Sequence, residues 1–228
     1  MGLLPAFAFA QGAEELMRMA VDFDSWTDGG VRYAGFPLGE LAASGLSPLP
    51  WDLRHAERDG VLARYAGTDG RPAVLVRATV AADADAAHAW LLARLRGVSR
   101  APWRSRGMCD VGFVSDDGFA AWTCGNVGVE VRVAVPGPVA LDIARAALDL
   151  LARAPRGTPP ALRVRARLEN DVVRVEAPAG ARIDWRPTNL TVSPLGETVR
   201  VVSRRPGGRL EIVAVDPLLR IGRTALCP

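Results

Sequence analysis

The feature that most constrains this chain is a change of periodicity near residue 160. Before it, apolar residues recur at helical and strand spacings in turn; after it, no helical spacing occurs. Short alternating runs appear at 162–168, 172–176, 182–185, 190–192, 198–203, 209–215 and 220–226, with Gly, Pro, Asn or Asp between almost every pair. A period of two places successive side chains on opposite faces of a strand. Seven such runs in residues 161–228 predict a small all-β sandwich. The stretch Pro155-Arg156-Gly157-Thr158-Pro159-Pro160 reads as the linker that precedes it.

Residues 11–154 read as an α+β domain. Leu16, Met19, Ala20 and Phe23 share one face of a short helix over 13–23, with Glu14 and Glu15 in its first turn. Residues 24–50 are rich in Gly, Pro and aromatics and predict an ordered loop with one helical turn near 38–43. The runs 61–66 and 73–80 flank a Gly-Thr-Asp-Gly-Arg-Pro turn and predict a hairpin. Helices are predicted over 83–96, with Ala84, Ala87, Leu91 and Leu95 inward, and over 139–153. Between them come a hairpin around Ser115-Asp116-Asp117-Gly118 and a strand over 127–135. The odd-numbered valines of that strand share one face, and Glu130 and Arg132 take the other. A bulge at Gly125-Asn126 would bring Trp122 and Cys124 onto the valine side. This order predicts an antiparallel sheet with helices on one face.

The last third also carries Ala181-Arg-Ile-Asp-Trp185, Thr198-Val-Arg-Val-Val202, Leu210-Glu-Ile-Val-Ala-Val-Asp216 and Ile221-Gly222. In these residues it resembles bacterial immunoglobulin-like modules, which often carry a strand-C tryptophan and a late strand ending in Ala-x-Asp. It departs from that pattern in having no inter-sheet cysteine pair. The resemblance implies an immunoglobulin-like sandwich with a spacer, adhesion or partner-docking role, not catalysis.

Cysteine placement bears on compartment. Cys109 and Cys124 flank the predicted hairpin; with Asp116 and Asp117 as its two loop residues they face each other directly, which predicts a disulfide and leaves Cys227 unpaired. An Asp117-Gly118 turn would instead shift the register by two and leave two reduced, buried cysteines. Residues 1–10 read as the end of a secretory signal with Ala8-x-Ala10 as its cleavage site, although no basic segment precedes them. Periplasmic or secreted location is the expectation, with the cytoplasm as the alternative. All 28 basic residues are arginine, yet acidic residues alternate with them and the net charge is only +3. No nucleic-acid partner is expected from that balance, and no run is long enough to span a membrane.

No catalytic, metal or cofactor constellation is recognised. The chain has two histidines, His55 in a polar segment and His88 near an apolar helix stripe, and both read as structural. Phosphate loops, Cys-x-x-Cys and nucleophile-elbow motifs do not occur. Two features predict partner binding: the basic loop with Arg204, Arg205 and Arg209, and the aromatic stretch with Trp26, Tyr33 and Phe36. The reading is therefore a non-catalytic exported bacterial protein, binding an envelope protein or polysaccharide. A small hydrolase or transferase using carboxylates and a cytoplasmic regulatory domain are the alternatives.

Overall fold

The computed structural model describes residues 30–41, 47–48, 60–66, 72–96, 103–105, 109–115, 118–133 and 139–228. Among them the chain forms two antiparallel sheets and two α-helices, an α+β composition. The predicted helix at 13–23, the signal-like residues 1–10, His55 and Trp26 lie outside the described residues.

The first sheet has seven strands: β1 (Ser47–Pro48), β2 (Val61–Ala66), β3 (Pro72–Val80), β4 (Trp103–Ser105), β5 (Val111–Ser115), β6 (Phe119–Cys124) and β7 (Val127–Val133). Their spatial order is β1-β2-β3-β7-β6-β5-β4. Helix α1 (Ala84–Leu95) connects β3 to β4, and helix α2 (Val139–Ala152) follows β7. The β2–β3 hairpin and both helices match the spacing that predicted them. Asp83 caps α1 by accepting the Ala86 N–H at 2.8 Å.

The helices pack on opposite faces of this sheet, which corrects the expectation that they share one. Ile143, Ala144, Ala147, Leu150 and Leu151 of α2 cluster with Ala120, Trp122, Val127, Val129 and Val131. Trp90, Leu91 and Leu95 of α1 cluster instead with Val111, Phe113, Phe119 and Ala121. Alternate residues of β6 thus face different helices, and every residue of β6 is buried. Glu130 lies on the face opposite the valines, as its place in the strand predicts, but α1 covers that face. It is 1% exposed, and its carboxylate is engaged by the Arg77 guanidinium at 3.3 Å and by Arg132 Nε. A buried carboxylate is tolerable when paired and hydrogen-bonded in this way. Gly128 lets α1 come close, because a Cβ there would sit 2.6 Å from the Trp90 ring.

Two turn details also differ from expectation. Gly125 and Asn126 form a two-residue hairpin turn rather than a bulge, pairing Cys124 with Val127 and Trp122 with Val129. Gly125 takes φ +51°, as the first position of a tight primed turn requires. The β5–β6 loop holds three residues, not two, since Ser115 pairs with Phe119 and Gly118 adopts φ +80°.

The second sheet comprises β8 (Arg165–Glu169), β9 (Val172–Glu176), β10 (Arg182–Leu195), β11 (Thr198–Val215) and β12 (Ile221–Leu226). Five strands replace the seven expected, because two pairs of short runs fuse into the long β10–β11 hairpin. Between Thr188 and Leu190 the register jumps: Thr188 pairs with Arg209 and Leu190 with Arg204. A second shift follows between Thr191 and Val192. Val199 and Val201 are odd-numbered and Leu210 and Ile212 even-numbered, yet all four join one apolar cluster with Val173. In an unbroken strand they would face opposite sides; the shifts change the parity and turn both arms inward. β9 pairs the first arm of β11 and β12 pairs the second. Pro187 and Pro194 are tolerated because β10 is an edge strand.

The two sheets meet along residues 32–36. Tyr33 bridges to Arg156; Ala34 N donates to Pro155 O at 2.8 Å, and Phe36 N to Leu218 O at 2.9 Å. Val213, Val215 and Leu219 complete the larger core beside Tyr33 and Phe36. Residues 155–157, read as a linker, are therefore held by hydrogen bonds and form part of a packed seam.

Candidate functional site

A groove of about 670 Å³ lies beside that seam. One wall is α1, which presents Ala86, Ala89, Trp90, Ala93 and Arg94; the end of β3 and residues 81–82 form the floor. Pro159 to Leu162, Leu219 to Ile221 and Arg223 form the other wall. The volume falls in the range of small-ligand and side-chain pockets. The α1 face is low and smooth because Leu91 and Leu95 turn the other way, into the sheet.

Three guanidinium groups border the groove, and each is positioned. Arg94 lies over the Trp90 ring, 5.4 Å from its centroid. Arg220 is clamped by buried Asp216, whose Oδ1 also accepts the N–H groups of Leu218 (3.0 Å) and Arg220 (2.9 Å). Arg223 pairs with Glu211 at 3.1 Å. Thr79 adds a hydroxyl. Among the described residues that line the groove there is no carboxylate, imidazole or thiol. An apolar lining with a few fixed cationic groups is suited to recognition.

A second cluster lies at the open end of the β5–β6 hairpin. Cys109 and Cys124 stand at disulfide distance, with Cα atoms 5.2 Å apart. Pairing follows for a reason different from the expected one. The three-residue loop shifts the register so that Cys109 falls beyond the ladder, and its φ of +53° turns the chain back toward Cys124. Asp110 joins them: one Sγ from each cysteine and a carboxylate oxygen lie within 4.8 Å of one another. No metal-ligand group was read from the sequence here; the adjacent Cys109-Asp110 pair was the available signal. Around the cluster, Asp110 Oδ2 accepts the Gly125 N–H at 2.5 Å, and the Tyr33 hydroxyl is 3.6 Å from Cys124 Sγ. Burial pushes the Tyr33 hydroxyl pKa above its ordinary value; Arg156 opposes that shift and Asp110 adds to it. Cys227 is exposed and unpaired.

The residues expected to bind a partner are dispersed. Tyr33 and Phe36 are buried in the larger core, so they stabilise the seam and do not form a surface recognition patch. Arg204, Arg205 and Arg209 are exposed, but they lie at the mid-hairpin bulge; the hairpin tip is at Gly196 and Glu197. Arg204 pairs with Asp171. His88 is half-buried on α1. The groove was not legible beforehand, since its walls come from residues 60–94 and 159–223 and no local motif links them.

No known protein family, curated protein or solved structure matches the chain. The geometry of these sites is thus what bears on function.

Proposed function

We propose that this protein is a non-catalytic binding or assembly component of the bacterial cell envelope, and that the groove beside α1 is where it holds a partner. The observation that carries the reading is the groove's lining, which combines apolar alanine and proline surface with fixed guanidinium groups at Arg94, Arg220 and Arg223. An envelope protein suits it better than a polysaccharide, because a sugar needs many polar partners and the lining offers few. The second sheet takes the docking or spacer role that its immunoglobulin-like resemblance implies, with Arg204, Arg205 and Arg209 as a further contact for acidic groups. Export is supported by the cysteine pair, which in an oxidising compartment closes as a disulfide.

Two measurements test this. A photo-crosslinking side chain in place of Ala89 is expected to give one discrete adduct in the envelope fraction, abolished by Ala93→Trp, which fills the groove. Adduct formation unchanged by Ala93→Trp would sink the groove as the docking site. Intact-mass analysis of native protein is expected to show a bridged Cys109–Cys124 pair and loss of residues 1–10. A full-length, fully reduced chain would overturn the envelope assignment.

A further inference from the structure

The Cys109, Asp110 and Cys124 cluster gathers two sulfur atoms and a carboxylate, ligand types that zinc takes, at one place in the fold. Zn²⁺ holds thiolate sulfur at about 2.3 Å and carboxylate oxygen at about 2.0–2.2 Å, so two ligands of one ion are at most roughly 4.6 Å apart. The carboxylate oxygen and both sulfur atoms fall within 4.8 Å of one another. The sulfurs stand at disulfide distance, so after reduction the side chains must rotate apart to the roughly 3.8 Å that a tetrahedral ion sets, across Cα atoms 5.2 Å apart. The surroundings resemble the outer shell that orients metal ligands. The Gly125 N–H fixes the Asp110 carboxylate, and the Tyr33 hydroxyl is beside the Cys124 sulfur. A side chain cannot replace the hydrogen of Gly125, because a Cβ there would lie 1.9 Å from the Val31 carbonyl oxygen. Cys124 is buried and supplies an anchor; Cys109 is exposed and supplies the entry path. The left-handed backbone at Cys109, rare for a residue with a side chain, is the kind of local strain that clusters at functional positions.

We propose that in the reduced protein Cys109, Asp110 and Cys124 bind one thiophilic divalent ion of the Zn²⁺ type, leaving a fourth position for water. The disulfide and the metal form exclude each other, because both use the same two sulfur atoms. Reduction requires a dithiol reductant: it delivers two electrons and two protons to the S–S bond and is itself oxidised to a disulfide. Ion binding then displaces the two thiol protons to solvent. The site is independent of the groove and of the partner it holds.

The test uses the full chain carrying Cys227→Ser, which removes the exposed third thiol. After reduction and removal of the reductant under inert gas, titration with Co²⁺ is expected to give one ion per chain. It should also give a near-ultraviolet sulfur-to-cobalt charge-transfer band, abolished by Zn²⁺. The oxidised protein should bind none. Cys109→Ser should weaken Co²⁺ by at least about tenfold and reduce the band, and Asp110→Asn should weaken it while keeping the band. Equal binding by the oxidised and reduced proteins, or no charge-transfer band in the reduced one, would overturn the proposal. Both of those readings need no variant that might fail to fold.

Discussion

The two sheets make their cores in opposite ways. The first is clamped between α1 and α2, so its central strands are buried on both faces and even Glu130 is enclosed with its own counter-charges. The second has its core on the inner side of a bent hairpin, and β8 alternates exposed and half-buried residues throughout. Its outer face carries the pairs Arg167–Glu176 (3.6 Å) and Arg174–Glu169 (3.4 Å). Exposed pairs of this kind contribute little stability. Residues 161–228 also carry 12 arginines against seven acidic residues, whereas residues 1–160 carry 16 against 18. The difference teaches a division of labour: the first sheet supplies the rigid core, and the second supplies the charged, accessible surface.

The largest expected effect follows from that contrast. Trp122 is fully buried between β6 and α2, so Trp122→Ala should cost about 3–5 kcal/mol in denaturant unfolding. Trp185, partly buried in the second sheet, should cost clearly less when truncated. Equal losses would break the comparison. Asn126→Ala comes next. Its side chain accepts the Tyr33 N–H at 2.7 Å and donates to the Tyr33 and Ala81 carbonyls at 3.0 and 2.9 Å. Losing these buried bonds should cost about 1–3 kcal/mol and speed hydrogen exchange at Tyr33 and Ala34, while the β10–β11 amides stay protected.

Alkaline titration sharpens the comparison without any mutation. The chain has two tyrosines, Tyr33 and Tyr65, both in the first region. Burial raises both hydroxyl pKa values, since an ionised phenolate is disfavoured away from water. The folded state thus keeps its phenolic protons where the unfolded chain loses them. This contribution is fully present below about pH 10 and is lost as pH rises through the folded values. Folded protein should show less phenolate absorbance at pH 10 than the urea-denatured chain, which shows roughly half of the full signal. Half-ionisation of the folded protein at that pH would contradict the burial of both rings.

How much of this was legible follows the same division. In the first region the periodicity of 61–66, 73–80, 83–96 and 139–153 located hairpin and helices, because each apolar set faces one neighbour. The side of the sheet on which each helix lies was not legible: Glu130 looks like a surface residue until Arg77 and Arg132 are placed beside it in space. In the second region Arg204-Arg205-Pro206-Gly207-Gly208-Arg209 has the composition of a loop, yet it continues a strand as a bulge. Punctuating residues mark a break in pairing, and composition does not distinguish a bulge from a turn. The cysteine pair was legible as a pair because a hairpin constrains which residues approach. The groove was not, because its walls are brought together only by the seam.

The smallest expected effect is the sharpest check on the bent hairpin. Val201 and Val202 are adjacent and chemically identical, yet Val201 is 6% exposed and Val202 is 61% exposed. Val192 pairs with Val201 and Thr191 with Ser203, so Val202 is the extra residue at the second register shift. Val201→Ala removes two buried methyl groups and should cost roughly 2 kcal/mol. Val202→Ser should change stability by no more than about 0.5 kcal/mol. Were the strand regular, Val201 and Val202 would still face opposite sides, but Val199 and Val201 would then lie across the sheet from Leu210 and Ile212. A double-mutant cycle between Val201→Ala and Ile212→Ala therefore reads the bend itself. Coupling of about 0.5 kcal/mol or more is expected if both line one cluster, and simple additivity would show that the two arms do not share a core.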